Sequence, residues 1–277
     1  MPASSTSPAT GSAFARQASP DRWSIGTDRV RVDLAAPDGH DLHITALASG
    51  TGHRDWILAP TPLLALTSGD ADALAGLRVS GTAASVEDDV ARMAITLTAA
   101  DGSTVVVRLE AIGGQAIVHT QLEVTPARET TLTGIAPLRI GVALEALTTL
   151  STVSGVQRQG GWQPEDGPYR SFRLEERPLD EPQRVFSGER STWSEMPWAA
   201  LTGDGPGGIL LAFEYGAQWD LVSAPEGRAA TIGYGPVGLV PTIASGETWS
   251  APPAWIGAFD GDLDGAAAIT TDYLRAA

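Results

Sequence analysis

The chain contains no Lys, no Asn and no Cys, and all 18 of its basic residues are Arg. Each absence removes a class of chemistry. Without Lys there is no Walker A phosphate loop, no Schiff-base enzyme and no Ser-x-x-Lys acyltransferase. Without Cys there is no disulfide, no thiolate nucleophile, no thiolate zinc site and no iron–sulfur cluster. Basic charge is scarce too: 33 acidic residues leave a formal net charge of -15. A surface of that sign does not track nucleic-acid phosphates. Lys and Asn codons both begin AA, so their joint loss points to a GC-rich coding sequence rather than to function.

Long apolar runs are missing as well. No stretch reaches the roughly 18 residues that a bilayer-crossing helix needs, so no membrane partner is expected. Met1 to Pro20 is Ser, Thr, Pro and Ala, with no basic start and no apolar centre. That composition reads as a disordered tail over residues 1–22, not as a secretory signal, and makes the cytoplasm the expected compartment.

What is present, from Trp23 onward, is period-2 alternation interrupted by turn chemistry. Val30, Val32 and Leu34 alternate with polar residues, Pro37-Asp38-Gly39 turns the chain, and Leu42, Ile44 and Ala46 alternate again. Met93, Ile95 and Leu97, then Asp101-Gly102, then Val105, Val107 and Leu109 give a second hairpin. Ala116–Val124 continues it, and further strand-like runs fall at Thr131–Ile140, Gly208–Phe213, Ala217–Val222 and Ala229–Tyr234. Short alternating strands separated by Asp-Gly and Gly-rich turns predict an all-β, large antiparallel sandwich over residues 23–260. Ala65–Leu77 reads as a short helical turn or a loop. One helix is expected, at the C-terminal end, with Asp262 or Asp264 as cap and Ala266, Ile269 and Tyr273 on one face.

Motifs for chemistry are few. Asp260-Gly-Asp262-Leu-Asp264 resembles the opening of a calcium loop, but position twelve is Thr271, which supplies no bidentate carboxylate. It reads as an acidic helix start, and no metal or cofactor is expected. His40, His43, His53 and His119 are the only histidines, and no Gly-x-Ser-x-Gly or His-Glu-x-x-His motif accompanies them. His119, within an alternating run, reads as a structural histidine. Gly203–Gly208 reads as a turn between strands.

The segment Gly155–Asp220 differs. It holds Trp162, Trp193, Trp198 and Trp219, interleaved with Glu165, Asp166, Glu189, Glu195, Glu214 and Asp220. Indole faces stack on sugars while carboxylates bind hydroxyls. The competing reading is that the indoles fill the space between two sheets. A carboxylate pair could also serve glycoside cleavage, but nothing in the spacing brings two acids together.

Here the sequence resembles a known family. Gly160-Gly-Trp162, Arg173-Leu-Glu-Glu-Arg177-Pro178-Leu179, Gly188-Glu-Arg190-Ser191-Thr192 and Pro197-Trp198-Ala-Ala-Leu201 stand in this order. So do Gly208–Gly216 with Trp219, and Gly246-Glu247 followed by Pro252-Pro253 and Gly257–Asp264. Together they resemble the N-terminal domain of family-36 glycoside hydrolases, the α-galactosidase family. The resemblance implies a β-supersandwich of the galactose-mutarotase type, joined by a helix to a catalytic (β/α)8 barrel. Residues 261–277 would then be the linker helix toward that barrel. The family's nucleophile lies in a Lys-x-Asp motif, which a Lys-free chain does not contain, so no catalytic residue is assigned. The turn Arg190–Glu195 departs from the Ser-Ser-His that many members carry. The implied role is a non-catalytic domain supporting the barrel, oligomer contacts and the rim of the sugar site. Trp162, Trp193, Glu195, Trp219 and Asp220 are the candidates for that rim. The expected partners are a galactoside-type carbohydrate, the barrel and a second copy of the chain. A stand-alone carbohydrate-binding module and an aldose-epimerase-like enzyme are the alternatives, the latter requiring His119 as acid beside a Glu base.

Overall fold

The computed structural model describes residues 12–49, 55–57, 60–70, 73–142, 146–153, 171–186, 195–203, 205–226 and 229–276. In chain order its strands begin with β1 (Phe14–Ser19), β2 (Arg22–Gly26), β3 (Val30–Ala35), β4 (His43–Ser49), β5 (Thr61–Pro62) and β6 (Ala65–Ser68). Next come β7 (Arg78–Glu87), β8 (Val90–Thr98), β9 (Thr104–Ile112), β10 (Ile117–Thr125), β11 (Thr130–Ala136) and β12 (Leu138–Val142). They are followed by β13 (Ala146–Val153), β14 (Ser171–Pro178), β15 (Gln183–Phe186), β16 (Glu195–Thr202) and β17 (Gly208–Phe213). The last are β18 (Trp219–Glu226), β19 (Ala229–Pro236), β20 (Thr242–Ile243), β21 (Trp249–Ser250) and β22 (Ala254–Phe259), before the helix α1 (Leu263–Ala276).

Two layers result. One is a ten-stranded sheet in the order β14-β13-β16-β17-β22-β10-β9-β8-β7, with β21 also on β10. The other combines three smaller sheets: β1-β2-β3-β4-β5, β20-β11-β6 and β12-β19-β18-β15. All the pairings are antiparallel. The expected antiparallel sandwich with one C-terminal helix is therefore the observed architecture.

The alternating residues build the core between the layers. Met93, Ile95, Leu97, Val105, Val107 and Leu109 project from the large sheet into one continuous cluster. Trp23, Ile25, Val32, Leu34, Leu138, Ile140 and Tyr234 meet them from the smaller sheets. Trp23 also donates its indole N–H to Thr82 Oγ1 at 3.1 Å, tying β2 to β7 across the layers. Burial of this apolar surface is the main favourable term for such a fold.

Local departures from the sequence reading have local causes. Strand pairing starts upstream of Trp23, because Phe14–Ser19 pairs with Arg22–Gly26. Where β4 pairs with β3 the register shifts between Asp33 and Leu34, leaving Thr45 as the extra residue on β4. The bulge reverses the alternation, so Leu47 is buried where Ala46 was expected inward. Thr131–Ile140 is two strands, β11 and β12, in different sheets. Ala65–Leu77, read as a short helical turn or a loop, begins with strand β6 at Ala65–Ser68, and residues 73–76 form a turn. Between β7 and β8 the chain reverses at Asp88 and Asp89, whose φ angles are 50° and 58°. Asp-Asp is a poor signal for a turn that wants Asn-Gly, so this hairpin is not readable from composition.

Helix α1 begins as expected. Asp262 Oδ1 accepts from the Asp264 N–H at 3.0 Å and caps the first turn. Ala266, Ile269 and Tyr273 face inward together onto Ile117, Ala200, Leu210, Ala212 and Trp255. The helix thus docks on the outer face of the large sheet. This explains why β17 and β22 are buried at every residue: one face meets the core and the other meets the helix.

Candidate functional site

Three of the five rim candidates, Glu195, Trp219 and Asp220, fall within the described residues. Trp162 and Trp193 lie outside them. Glu195 opens β16 opposite Ser151. Trp219 and Asp220 are consecutive on β18 and therefore point to opposite faces. Trp219 turns inward and is 1% exposed. Its indole packs edge-on against Tyr234 at a centroid distance of 5.7 Å, and Tyr234 stacks on Phe213 at 5.8 Å. Trp219 is thus in the space-filling position that was the alternative to sugar contact. Asp220 turns outward, where its Oδ2 accepts from Arg184 Nε at 2.8 Å. The Arg184 guanidinium in turn lies 5.6 Å from the Phe186 ring centroid.

A different cluster assembles on the outer face of the large sheet. Strand register places Trp198 opposite Ala212, Ala212 opposite Trp255, Trp255 opposite His119, His119 opposite Glu110 and Glu110 opposite Arg92. These six residues form one rung across six strands, all on the same face. Helix α1 roofs one end of the rung. Trp198 donates its indole N–H to Thr270 Oγ1 at 3.0 Å, and the Trp255 ring meets Tyr273 at 4.5 Å.

Glu214, immediately after β17, closes the cluster. Its backbone N–H donates to Pro253 O at 2.8 Å, which fixes the chain beside β22. Its carboxylate accepts from the Trp255 indole N–H. The same Oε1 lies 3.9 Å from His119 Nε2. The side chains of His119 and Glu214 are 25% and 43% exposed, so water reaches both. Farther along the rung Arg92 Nε donates to Glu110 Oε2 at 2.8 Å. Tyr273 packs on Trp255 within the field of these acids, and its phenol pKa is pushed up to about 12. Burial is the main cause, followed by the negative charges of Glu214 and Glu110.

Chemically, the cluster offers a carboxylate, an imidazole and a neutral phenol beside two indoles. Such a set can exchange a proton with a bound hydroxyl or hydrogen-bond it against an apolar wall. The sequence reading weights the indoles and sets His119 beside a Glu base only in the epimerase alternative, without identifying Glu214 as that base. The meeting of His119 with Glu214 depends on β10 pairing with β22 and on β17 lying beside β22, and neither pairing has a local signature.

The Asp260–Asp264 stretch is accounted for by structure. Asp262 caps α1, and Asp260 Oδ1 accepts from Ser49 Oγ at 2.7 Å. Among the described residues no helix is long and apolar enough to cross a membrane.

No family model matches the sequence, and no curated protein matches it. Solved structures do match in fold. The family-36 α-galactosidase AgaB of Geobacillus stearothermophilus superposes with a TM-score of 0.71 at 13% identity, over 91% of this chain and 42% of that one. The α-galactosidase of Lactobacillus brevis gives 0.69 at 10% identity, over 88% and 40%. The galactose 1-epimerase of Lactobacillus acidophilus gives 0.51 at 12% identity, over 90% and 98%. The chain therefore has a β-sandwich fold related to domains of family-36 α-galactosidases and to galactose-mutarotase-like proteins. It spans about two fifths of the length of those α-galactosidases.

Proposed function

We propose that this chain is a non-catalytic domain of an α-galactosidase-like glycoside hydrolase. Its role is to support a (β/α)8 catalytic barrel, to take part in oligomer contacts and to border the sugar site. The observation that carries this reading is the asymmetry of the fold match: 91% of this chain corresponds to 42% of the α-galactosidase AgaB. The α-galactosidase scaffold therefore has a large part for which this chain has no counterpart, and catalysis belongs there in this reading. Trp162, Trp193, Glu195 and Asp220 are the rim candidates that this reading retains, and Trp219 supports Asp220 from the core side. The experiment is an assay of the purified chain on nitrophenyl α-galactoside. No turnover is expected, and efficient hydrolysis by the chain alone would refute the proposal. The genomic reading frame is an independent check: a barrel encoded in the same frame or beside it is expected.

A second reading has one specific observation in its favour. His119 and Glu214 meet at 3.9 Å on a fold that covers 98% of a galactose 1-epimerase. An aldose-epimerase-like activity would use the imidazole as acid and the carboxylate as base. Polarimetry of freshly dissolved α-galactose decides this. Acceleration that is lost in His119→Ala supports it, and the uncatalysed rate with the intact chain ends it. A stand-alone carbohydrate-binding module would show galactoside binding by calorimetry without turnover, retained in His119→Ala.

A further inference from the structure

Among the described residues the ten-stranded sheet ends at β7, which pairs with β8 along its length and otherwise makes a single bridge, from Arg78 to His40. An open strand edge is a template for another chain, and proteins ordinarily guard it with charge or proline. At the opposite end of the sheet, β14 carries Glu175, Glu176, Arg177 and Pro178. The β7 edge has no such guard: Val79–Val86 contains neither a charged residue nor a proline. Residues 83–87 are exposed in both alternating directions, and Val86 is 47% exposed. At this end β7 stays paired with β8, and its residues are exposed on both faces of the sheet.

The sequence of this edge is complementary to itself. Pairing with β8 sets Val79, Thr82, Ala84 and Val86 on the face of the core residues Leu97, Ile95, Met93 and Ala91. Arg78, Gly81, Ala83, Ser85 and Glu87 take the other face. A bulge at Ser80, between Val79 and Gly81, resets the alternation. A second copy related by a two-fold axis through Ala83 sets Ala83 against Ala83, Thr82 against Ala84 and Gly81 against Ser85. Beyond the bulge it sets Val79 against Val86 and Arg78 against Glu87. In each of these pairs the two residues share a face, as cross-strand neighbours must. Valine meets valine, small residues meet small residues, and the charged residues at the ends are opposite in sign. His40 bridges to the backbone of Arg78, so the contact of Arg78 with Glu87 is made by side chains and the open backbone runs from Val79.

We propose that two copies of this chain associate through β7, antiparallel, joining their large sheets into one continuous sheet. The contact is isologous and uses up the edge in both copies, so assembly stops at a dimer. It does not depend on the hydrolase reading.

The absence of Cys makes the register directly testable. An Ala83→Cys variant places two thiols opposite each other across the axis, about 4.5–5.5 Å apart at Cα, within disulfide reach. A Ser85→Cys variant opposes each thiol to Gly81 and holds the two thiols roughly 13 Å apart along the strands. Mild oxidation should therefore yield covalent dimer from A83C and little from S85C. Sedimentation velocity of the unmodified chain should show a concentration-dependent dimer, with affinity on the order of micromolar. E87R sets like charges against each other at both ends and should weaken association about tenfold, while R78E/E87R restores it. Circular dichroism checks that each variant is folded. A chain that stays monomeric at all concentrations, equal cross-linking of A83C and S85C, or a dimer indifferent to E87R would each overturn the proposal.

Discussion

Trp255 on β22 and Tyr273 on α1 meet ring to ring, with centroids 4.5 Å apart and planes at 57°. The contact fixes the last turns of the helix to the outer face of the large sheet, beside Glu214 and His119. Removing the Tyr273 ring takes away the largest apolar group that the helix contributes. Tyr273→Ala should cost about 3 kcal/mol in urea unfolding. Loss of helical circular dichroism before the main transition would show the helix detaching first.

The raised phenol pKa of Tyr273 has a consequence at high pH. Below pH 10 the phenol is protonated in both folded and unfolded chains, and its contribution is constant. Between the ordinary value of 10.0 and about 12 the unfolded chain loses this proton while the folded chain retains it. Stability should therefore fall across that window, by on the order of 1 kcal/mol per pH unit from this group. Comparing unfolding of the intact chain and Tyr273→Phe from pH 9 to pH 12 isolates the effect. The variant should show the shallower decline, and parallel curves would contradict the assignment.

Trp219 and Asp220 should separate cleanly in mutagenesis. Trp219→Ala removes a fully buried ring and should cost about 3–5 kcal/mol by denaturant titration. Arg184→Ala breaks an ion pair with a solvent-exposed cation and should cost no more than about 1 kcal/mol, less at high salt. Comparable costs for the two would contradict the opposite facing of neighbouring side chains on β18.

Asp262→Ala removes the carboxylate that accepts the Asp264 N–H and should cost about 1 kcal/mol. The loss should be seen equally by chemical denaturation and by faster amide exchange in the first turn of α1.

Asp88 holds a left-handed backbone with φ at 50°, and its side chain is solvent-exposed. Asp88→Gly relieves a conformation that L-residues resist, so it should stabilise the chain by roughly 0.5–1 kcal/mol. A rise in thermal midpoint checks this, and a fall would mean that the turn is not strained.

The sequence by itself determined the strands whose signal is local. Met93–Leu97 and Val105–Leu109 around Asp101-Gly102 are legible because alternation and turn chemistry both act within a few residues. The all-β class and the capped helix with Ala266, Ile269 and Tyr273 on one face follow from the same short-range rules. Strands with weak alternation, such as β7 and β13, escaped that reading. So did the reversal at Asp88-Asp89, where backbone strain takes the place of a recognisable turn dipeptide. Only the tertiary structure decided which face each strand presents to which neighbour. It set Trp219 in the core and Asp220 outside it, and it brought His119 to Trp255 and Glu214 by pairing strands distant in the chain. Such contacts have no local signature: they are fixed when both faces of the central strands find partners, the core on one side and α1 on the other.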